Sequence, residues 1–373
     1  MKKFKLLDLN REFKVIKRPV MKKIESLISN GEFILGEETK LFENRFAKFC
    51  GVKHCIGVSS GTAALFLTLK ACNISNGDEV ITSSLTFTAT AEAIVQVGAT
   101  PVFVDVDEKA LLIDTNLIES KITSKTKAII AVHLAGMPAN MDELTKLCDK
   151  RNILLIEDCS QSHGSKFKRK KVGSFGLAGC FSFMPAKNIG AYGDAGCVVT
   201  NDDNLAQTIK LLRNHGRVTK YEHKIIGYNE RIDNVWAGVL NVKLNYLDKW
   251  NKNRNRIAKI YNTFLDKSLI SIQSTPKNSY SSYYVFNILV KKNRDKIVVL
   301  LNKNGISTGV YYPIPLHLQE CYSYLGYKKG NLKVTEQICN TCIAIPMHPF
   351  LTDSEAKYIA KKVNNLVREG YND

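Results

Sequence analysis

Between residues 55 and 200 the chain keeps returning to short apolar runs: "CIGVS", "EVITSS", "PVFVDV", "AIIAVHL", "ILLIED", "GCFSF" and "GCVVT". Amphipathic stretches such as "GTAALFLTLKAC" and "NMDELTKLCDKRN" lie between them. Alternation of this kind predicts an α/β fold in which a mainly parallel sheet is covered by helices on both faces. Ligands in such sheets bind beyond the carboxyl ends of the strands, so functional residues are expected just after those runs. Residues 204–220 and 235–266 read as helices. From about residue 270 the pattern changes to "YYVFNILV", a helix "RDKIVVLLNKNG", a strand "STGVYY" and closing helices at 333–343 and 353–367, a smaller α+β domain. The division expected is 1–250 for the large domain with its N-terminal segment and 251–373 for the small one.

A chain of 373 residues with 45% hydrophobic and 24% charged residues suits a globular protein and excludes disordered and fibrous classes. No run of about 18 apolar residues could span a bilayer. The start "MKKFKLLDLNREF" lacks the apolar core of a secretory signal, so a cytoplasmic protein without a membrane partner is expected. Ten cysteines, several inside apolar runs, fit a reducing compartment without disulfides. Cys339 and Cys342 have CxxC spacing, but they lie in a helical pattern with no second pair nearby, so no metal is expected. The net charge of +18 is compatible with a nucleic-acid partner or an anionic small substrate. Its densest run, "KFKRKK" at 166–171, reads as a solvated hairpin tip without the aromatic interleaving of nucleic-acid sites, so no nucleic-acid partner is expected.

Three stretches carry chemistry. "SSGTAALFLTL" leads small residues, with Gly61 and Thr62 among them, into a helix whose positive end exposes N–H groups suited to a phosphate; a plain N-cap is the other reading. "ILLIEDCSQSH" ends a strand on Asp158, where a carboxylate can pair with a cationic ring nitrogen or merely cap the next element. "CFSFMPAKNIGAYGDAG" frames Lys187 between an apolar run and a glycine-bearing turn, which a solvated lysine would not need. A phosphate cradle, a strand-end Asp and a pocket lysine, in that order, are what a pyridoxal 5'-phosphate site requires: the lysine binds the aldehyde, the Asp keeps the pyridine nitrogen protonated, and the cradle anchors the phosphate. A nicotinamide dehydrogenase would want GxGxxG after the first strand, and "SSGTAA" does not supply it.

"GEFILGEETKLFENRFAKFCG", "SSGTAAL", "TFTATAEAIVQVGATPVFVDVD", "IEDCSQSHGS", "FSFMPAKNIGAYGDAGCVVTND", "GYNERID" and "PMHPFLTDSE" stand in the order seen in sugar-nucleotide aminotransferases of the DegT/DnrJ/EryC1/StrS family, which the chain resembles over nearly its whole length. The resemblance implies fold type I of the pyridoxal phosphate enzymes, with Lys187 as the Schiff-base lysine and catalytic acid/base. It implies that Asp158 partners the pyridinium nitrogen, Gln161 approaches the ring hydroxyl, and Gly61, Thr62 and Ser182 hold the phosphate. Phe87 would stack on the cofactor ring, a core Phe being the alternative. Asn229 would reach the phosphate of a neighbouring subunit, making each site shared across a homodimer. Tyr312 and His317 resemble substrate-facing residues, against a packed Tyr and a surface His. Met184, Ala186 and Trp236 depart from the usual pattern at positions that could reshape the sugar pocket. The implied reaction moves an amino group from L-glutamate to a nucleotide-linked keto-6-deoxysugar. "KNIGAYGDAG" and "NERID…VKLNYLD" resemble enzymes acting at C3 of a dTDP-3-keto-6-deoxyhexose; C4 of a dTDP-, UDP- or GDP-4-keto sugar is the alternative. The family's habits point to surface polysaccharide, such as the O-antigen of lipopolysaccharide, as the product's destination.

Overall fold

The computed structural model describes residues 3–372. Strands β1 (His54–Val58), β2 (Glu79–Ser83), β3 (Thr100–Val104), β4 (Thr126–Val132) and β5 (Leu154–Asp158) enter a central sheet. The chain then leaves it for a short hairpin, β6 (Lys166–Phe167) and β7 (Lys170–Lys171), and returns as β8 (Ala178–Ser182) and β9 (Gly196–Thr200). The seven strands lie in the order β1-β9-β8-β5-β4-β2-β3. Only β9 runs against its neighbours; the other pairings are parallel, so the mainly parallel sheet read from the sequence is present.

Period-2 alternation sends successive residues of β4 to opposite faces. Ile130 joins one layer with Ile56, Val80, Ile156 and Val198, which the helices Gly61–Ala71, Ala89–Gln96 and Asp203–Leu212 cover. Ile129 joins the other with Ile81, Val104 and Leu155, beneath the helix Met141–Arg151. With both faces covered, each buried aliphatic contributes about 1.5–3 kcal/mol, which is why these strands are runs of Val and Ile.

Beyond residue 246 the helix Leu247–Phe264 runs straight through position 250, where the domain division was expected. A second sheet follows, in which β10 (Ile270–Ile272), β12 (Phe286–Val290) and β13 (Cys342–Ile345) pair antiparallel, while β11 (Ser279–Tyr280) pairs with β6. The helices Leu247–Phe264, Arg294–Lys303 and Asp353–Asn372 supply Tyr261, Ile297 and Val363 to its core. Phe4 belongs to that core as well, and its N–H donates to the Gly305 carbonyl at 2.7 Å. The segment at Phe4 is therefore tied to the C-terminal part of the chain.

Four sequence expectations need correction. The helix read over 204–220 stops at Leu212. Residues beyond it double back, because Gly216, at φ +68°, lies so close to the Ile225 carbonyl that no side chain fits. The helix read over 235–266 is two, Asn234–Leu244 and Leu247–Phe264. "STGVYY" forms no strand: Gly309 makes one isolated bridge to Ala344, and the Tyr311–Tyr312 peptide is cis. The CxxC pair is also divided, with Cys339 in the helix Lys333–Thr341 and Cys342 opening β13, both buried and free. "KFKRKK" does form a hairpin, β6–β7, with Lys168 in the left-handed conformation at its turn.

Candidate active site

A cavity of about 270 Å³ opens at the carboxyl ends of β5 and β8. It takes residues from five places in the sequence: the helix start after β1, the segment after β2, the ends of β4 and β5, and the turn after β8. Seven predicted residues, Gly61, Thr62, Phe87, Asp158, Gln161, Ser182 and Lys187, line it together.

Its first wall is the start of the helix Gly61–Ala71. Ser60 caps this helix, its Oγ accepting from the Ala63 N–H at 3.0 Å, which leaves the first N–H groups of the helix for a ligand. The N-cap and phosphate readings of "SSGT" therefore hold at once. Gly61 must be glycine because an ideal Cβ would sit 2.6 Å from Ser182 Cβ and 3.2 Å from Ser160 Oγ. That close approach puts two hydroxyls beside the helix start, a donor set suited to a phosphate.

Opposite lies Asp158, 6% exposed. One carboxylate oxygen accepts from Thr90 Oγ1 at 2.8 Å and the other from the Ser160 N–H at 3.0 Å. Thr90 Oγ1 stands 3.1 Å from Thr86 Oγ1, extending the chain of hydroxyls. Phe87 is 55% exposed, so it is not a core Phe; it lines the cavity, 6.1 Å between ring centroids from Tyr312. Gln161 Oε1 accepts from the Ala135 N–H at 2.8 Å while its Nε2 donates to Tyr312 Oη at 3.0 Å. This places Tyr312 at the edge of the site.

Lys187 reaches the cavity from the turn after β8, its N–H bonded to the Met184 carbonyl at 2.9 Å. Desolvation lowers its amine from 10.5 to about 8, and the charge of Asp158 opposes that shift. The group is thus poised near neutrality, as a nucleophile or base must be. Behind it His163 is fully buried and held neutral, its pKa pushed down to about 3, first by burial and then by Lys187 itself.

Two predicted residues lie elsewhere. His317 is neither on the surface nor in the cavity: buried at 1% exposure, it has Nδ1 2.8 Å from Ser84 Oγ and Nε2 3.1 Å from Glu336 Oε1. Both ring nitrogens are occupied, which corrects the substrate-facing expectation. Asn229 is exposed on the segment that bridges back to Asn214 and is not among the residues that line the cavity. Met184 lines the cavity, and the Trp236 indole supports the turn after Lys187, where an ideal Cβ on Gly193 would lie 3.1 Å from its Nε1. Thr86, Thr90, Ser160 and Asp194 also line the site and were not singled out from the sequence. Thr90 lies inside a helix, and nothing local marks it as the partner of a carboxylate 68 residues away.

Among the described residues one cluster has a metal-like composition, His133, Glu157 and Cys159. Two of its three members are already engaged: His133 Nδ1 accepts from the Ala139 N–H, Nε2 meets Glu157, and Glu157 accepts from the N–H groups of Gly173, Phe175 and Gly176. It is a structural brace under β5.

Residues 15–364 match the DegT/DnrJ/EryC1/StrS aminotransferase family. The chain belongs to this family. It is 39% identical to a UDP-N-acetyl-3-dehydro-alpha-D-glucosamine 3-aminotransferase of Acidithiobacillus ferrooxidans, over 97% of each chain. It is 38% identical to a dTDP-3-amino-3,6-dideoxy-alpha-D-galactopyranose transaminase of Aneurinibacillus thermoaerophilus, over 98% of this chain and 99% of the other. The crystal structure of DesV from S. venezuelae in complex with a ketimine intermediate superimposes with a TM-score of 0.96, at 34% identity, covering 98% of this chain and 99% of that one. As a DegT/DnrJ/EryC1/StrS protein the chain is a sugar-nucleotide aminotransferase of fold type I, and its cofactor is pyridoxal 5'-phosphate. The cavity suits that group: hydroxyls and helix N–H groups at one end, a buried carboxylate at the other, a flat aromatic at the rim and an amine between them. No described helix is long and apolar enough to cross a membrane.

Proposed function

We propose that this aminotransferase moves the amino group of L-glutamate to C3 of a dTDP-linked 3-keto-6-deoxyhexose. The observation that carries the reaction type is the desolvated amine of Lys187 in one cavity with the buried carboxylate of Asp158. Position C3 is supported by the two relatives above, both named for amino groups at that carbon. The dTDP carrier rests on the second of them and on the turn "KNIGAYGDAG".

Gly61, Thr62 and Ser182 would hold the cofactor phosphate, Asp158 would face the pyridine nitrogen, Gln161 the ring hydroxyl, and Phe87 would cover the ring. Bound there, pyridoxal phosphate supplies an electron sink for the carbon that loses its proton. Lys187 Nζ, in its uncharged form, would be the side chain that holds the cofactor through its aldehyde. The same amine would serve as the acid/base that moves a proton at the α-carbon of the donor and, in the reverse sense, at the sugar carbon. Thr90 and the Ser160 N–H fix the orientation of the Asp158 carboxylate, each donating to one of its two oxygens. Tyr312, bonded to Gln161, faces the sugar side of the site. Asn229, exposed in the single chain, contributes to the site of a second subunit in a homodimer. The enzyme works in the cytoplasm on precursors of a surface polysaccharide such as O-antigen.

The test is spectroscopic. Wild type and Lys187→Ala are titrated with pyridoxal phosphate, then glutamate, then the 3-keto and 4-keto isomers of the dTDP-sugar. The reading expects a visible cofactor band in wild type alone, its loss with glutamate and its return with the 3-keto sugar. Return with the 4-keto isomer alone would move the reaction to C4, and a band unaffected by Lys187→Ala would remove Lys187 from its role.

A further inference from the structure

The amine of Lys187 lies over the face of Tyr284, with Nζ 4.7 Å from the ring centroid. Among the described residues Nζ has no hydrogen bond or ion pair, so this ring is the group that meets its charge at contact distance. Tyr284 is 3% exposed and its backbone is clamped at both ends. Its N–H donates to the Ala135 carbonyl at 3.1 Å, and its carbonyl accepts from the buried Arg254 Nη1 at 3.3 Å. The ring of Tyr311 meets it edge-on at 6.2 Å and 73°. Gly136, at φ +87°, makes the approach possible: an ideal Cβ there would stand 2.8 Å from the Tyr283 nitrogen and 3.1 Å from that of Tyr284. Because Ala135 also donates to Gln161, one loop fixes both the Gln161 side chain and the ring beneath Lys187.

We propose that Tyr284 is a positioning residue that steadies the ammonium form of Lys187 through the face of its ring. The inference rests on reading Lys187 as the cofactor lysine. That amine has two opposed tasks, to be uncharged when it forms its covalent bond and to carry a proton once displaced. A carboxylate at contact distance would hold the ammonium in one place and leave little free base. A ring face attracts the cation without fixing its direction, and does so more strongly once water is excluded. The other groups facing the amine are Asp158, which favours its charge, and His163, which stays neutral. Arg254 lies behind Tyr284, and burial holds the hydroxyls of Tyr284, Tyr311 and Tyr312 protonated. The ring therefore raises the affinity of Lys187 for its proton against the desolvation that lowers it.

The experiment needs no turnover. In the apoprotein, Lys187 is acylated with acetic anhydride across a range of pH and its modification followed by mass spectrometry. Position 284 is varied through Tyr284→Phe, a series of fluorinated phenylalanines that keep the shape while withdrawing electrons from the ring, and Tyr284→Leu. The expected result is a near-native apparent pKa in Tyr284→Phe, a stepwise fall with fluorination to about one unit below wild type, and Tyr284→Leu at the low end. With cofactor restored, the kinetic isotope effect on α-deuterated glutamate should grow in the same order. An apparent pKa unchanged across the fluorinated series overturns the proposal, whether or not Tyr284→Leu folds. Failure of the parent reading is seen separately, as covalent loading of Lys187→Ala.

Discussion

Lys187 sits at about 8 because burial disfavours its charge more than Asp158 favours it, and the consequence can be read against pH. Only the free amine attacks an aldehyde, so the rate of cofactor loading onto apoprotein should rise through about pH 8 and level off above it, as stopped-flow absorbance will show. The sign for stability follows from the same shift. Between about 8 and 10.5 the unfolded chain binds the proton that the folded one has released, so the apoprotein gains stability as pH rises through that window. Thr90 offers a second check. Thr90→Val keeps the side-chain shape but strips one hydrogen bond from a buried carboxylate, a loss of about 1–3 kcal/mol, and should weaken cofactor binding about tenfold in a fluorescence titration. No pattern in "TFTATAEA" announces Thr90, whereas the framing of Lys187 by an apolar run and a glycine turn is visible in one dimension.

Among the elements, the start of the helix Gly61–Ala71 does most to shape the site. Its cap by Ser60 is local and legible, since Ser before a helix is a common signal. Its contact with Ser182 is not legible, because β8 reaches that helix only through the sheet order. Gly61→Ala forces a methyl group against Ser182 Cβ, and crowding of this kind costs about 1–3 kcal/mol. The variant should show a lower melting temperature together with a loss of phosphate-dependent cofactor affinity; pyridoxal without its phosphate should bind both proteins alike. The segment after Leu212 shows the opposite balance. Its residues carry helix-compatible periodicity, yet Gly216 and Gly227 pack backbone against backbone, and that tertiary contact ends the helix.

At the scale of the whole molecule the large sheet was written in the sequence. Short runs such as "AIIAVHL" and "ILLIED" are apolar on both faces because both faces are covered, so parallel strands and the edge where ligands bind follow without knowing any contact. If the site is shared as proposed, mixing Lys187→Ala with Asn229→Ala subunits should restore about a quarter of wild-type activity, because half the dimers are mixed and each mixed dimer keeps one intact site. Either variant alone should be nearly inactive, and an assay of the remixed subunits decides it. Lys187, Asp158 and the glycine-led helix start stood out by residue type and order along the chain, Gln161 only through the family resemblance, and one cavity brings the four together. His317 was misplaced because a histidine near a proline-rich turn looks the same in sequence whether it faces a ligand or, as here, lies buried between Ser84 and Glu336. Tyr284 under Lys187 and Thr90 on Asp158 were likewise decided by the tertiary structure alone. Periodicity and caps are properties of neighbours in sequence, while a cavity wall is set by which strands lie side by side, and that order appears only once the sheet has closed over its core.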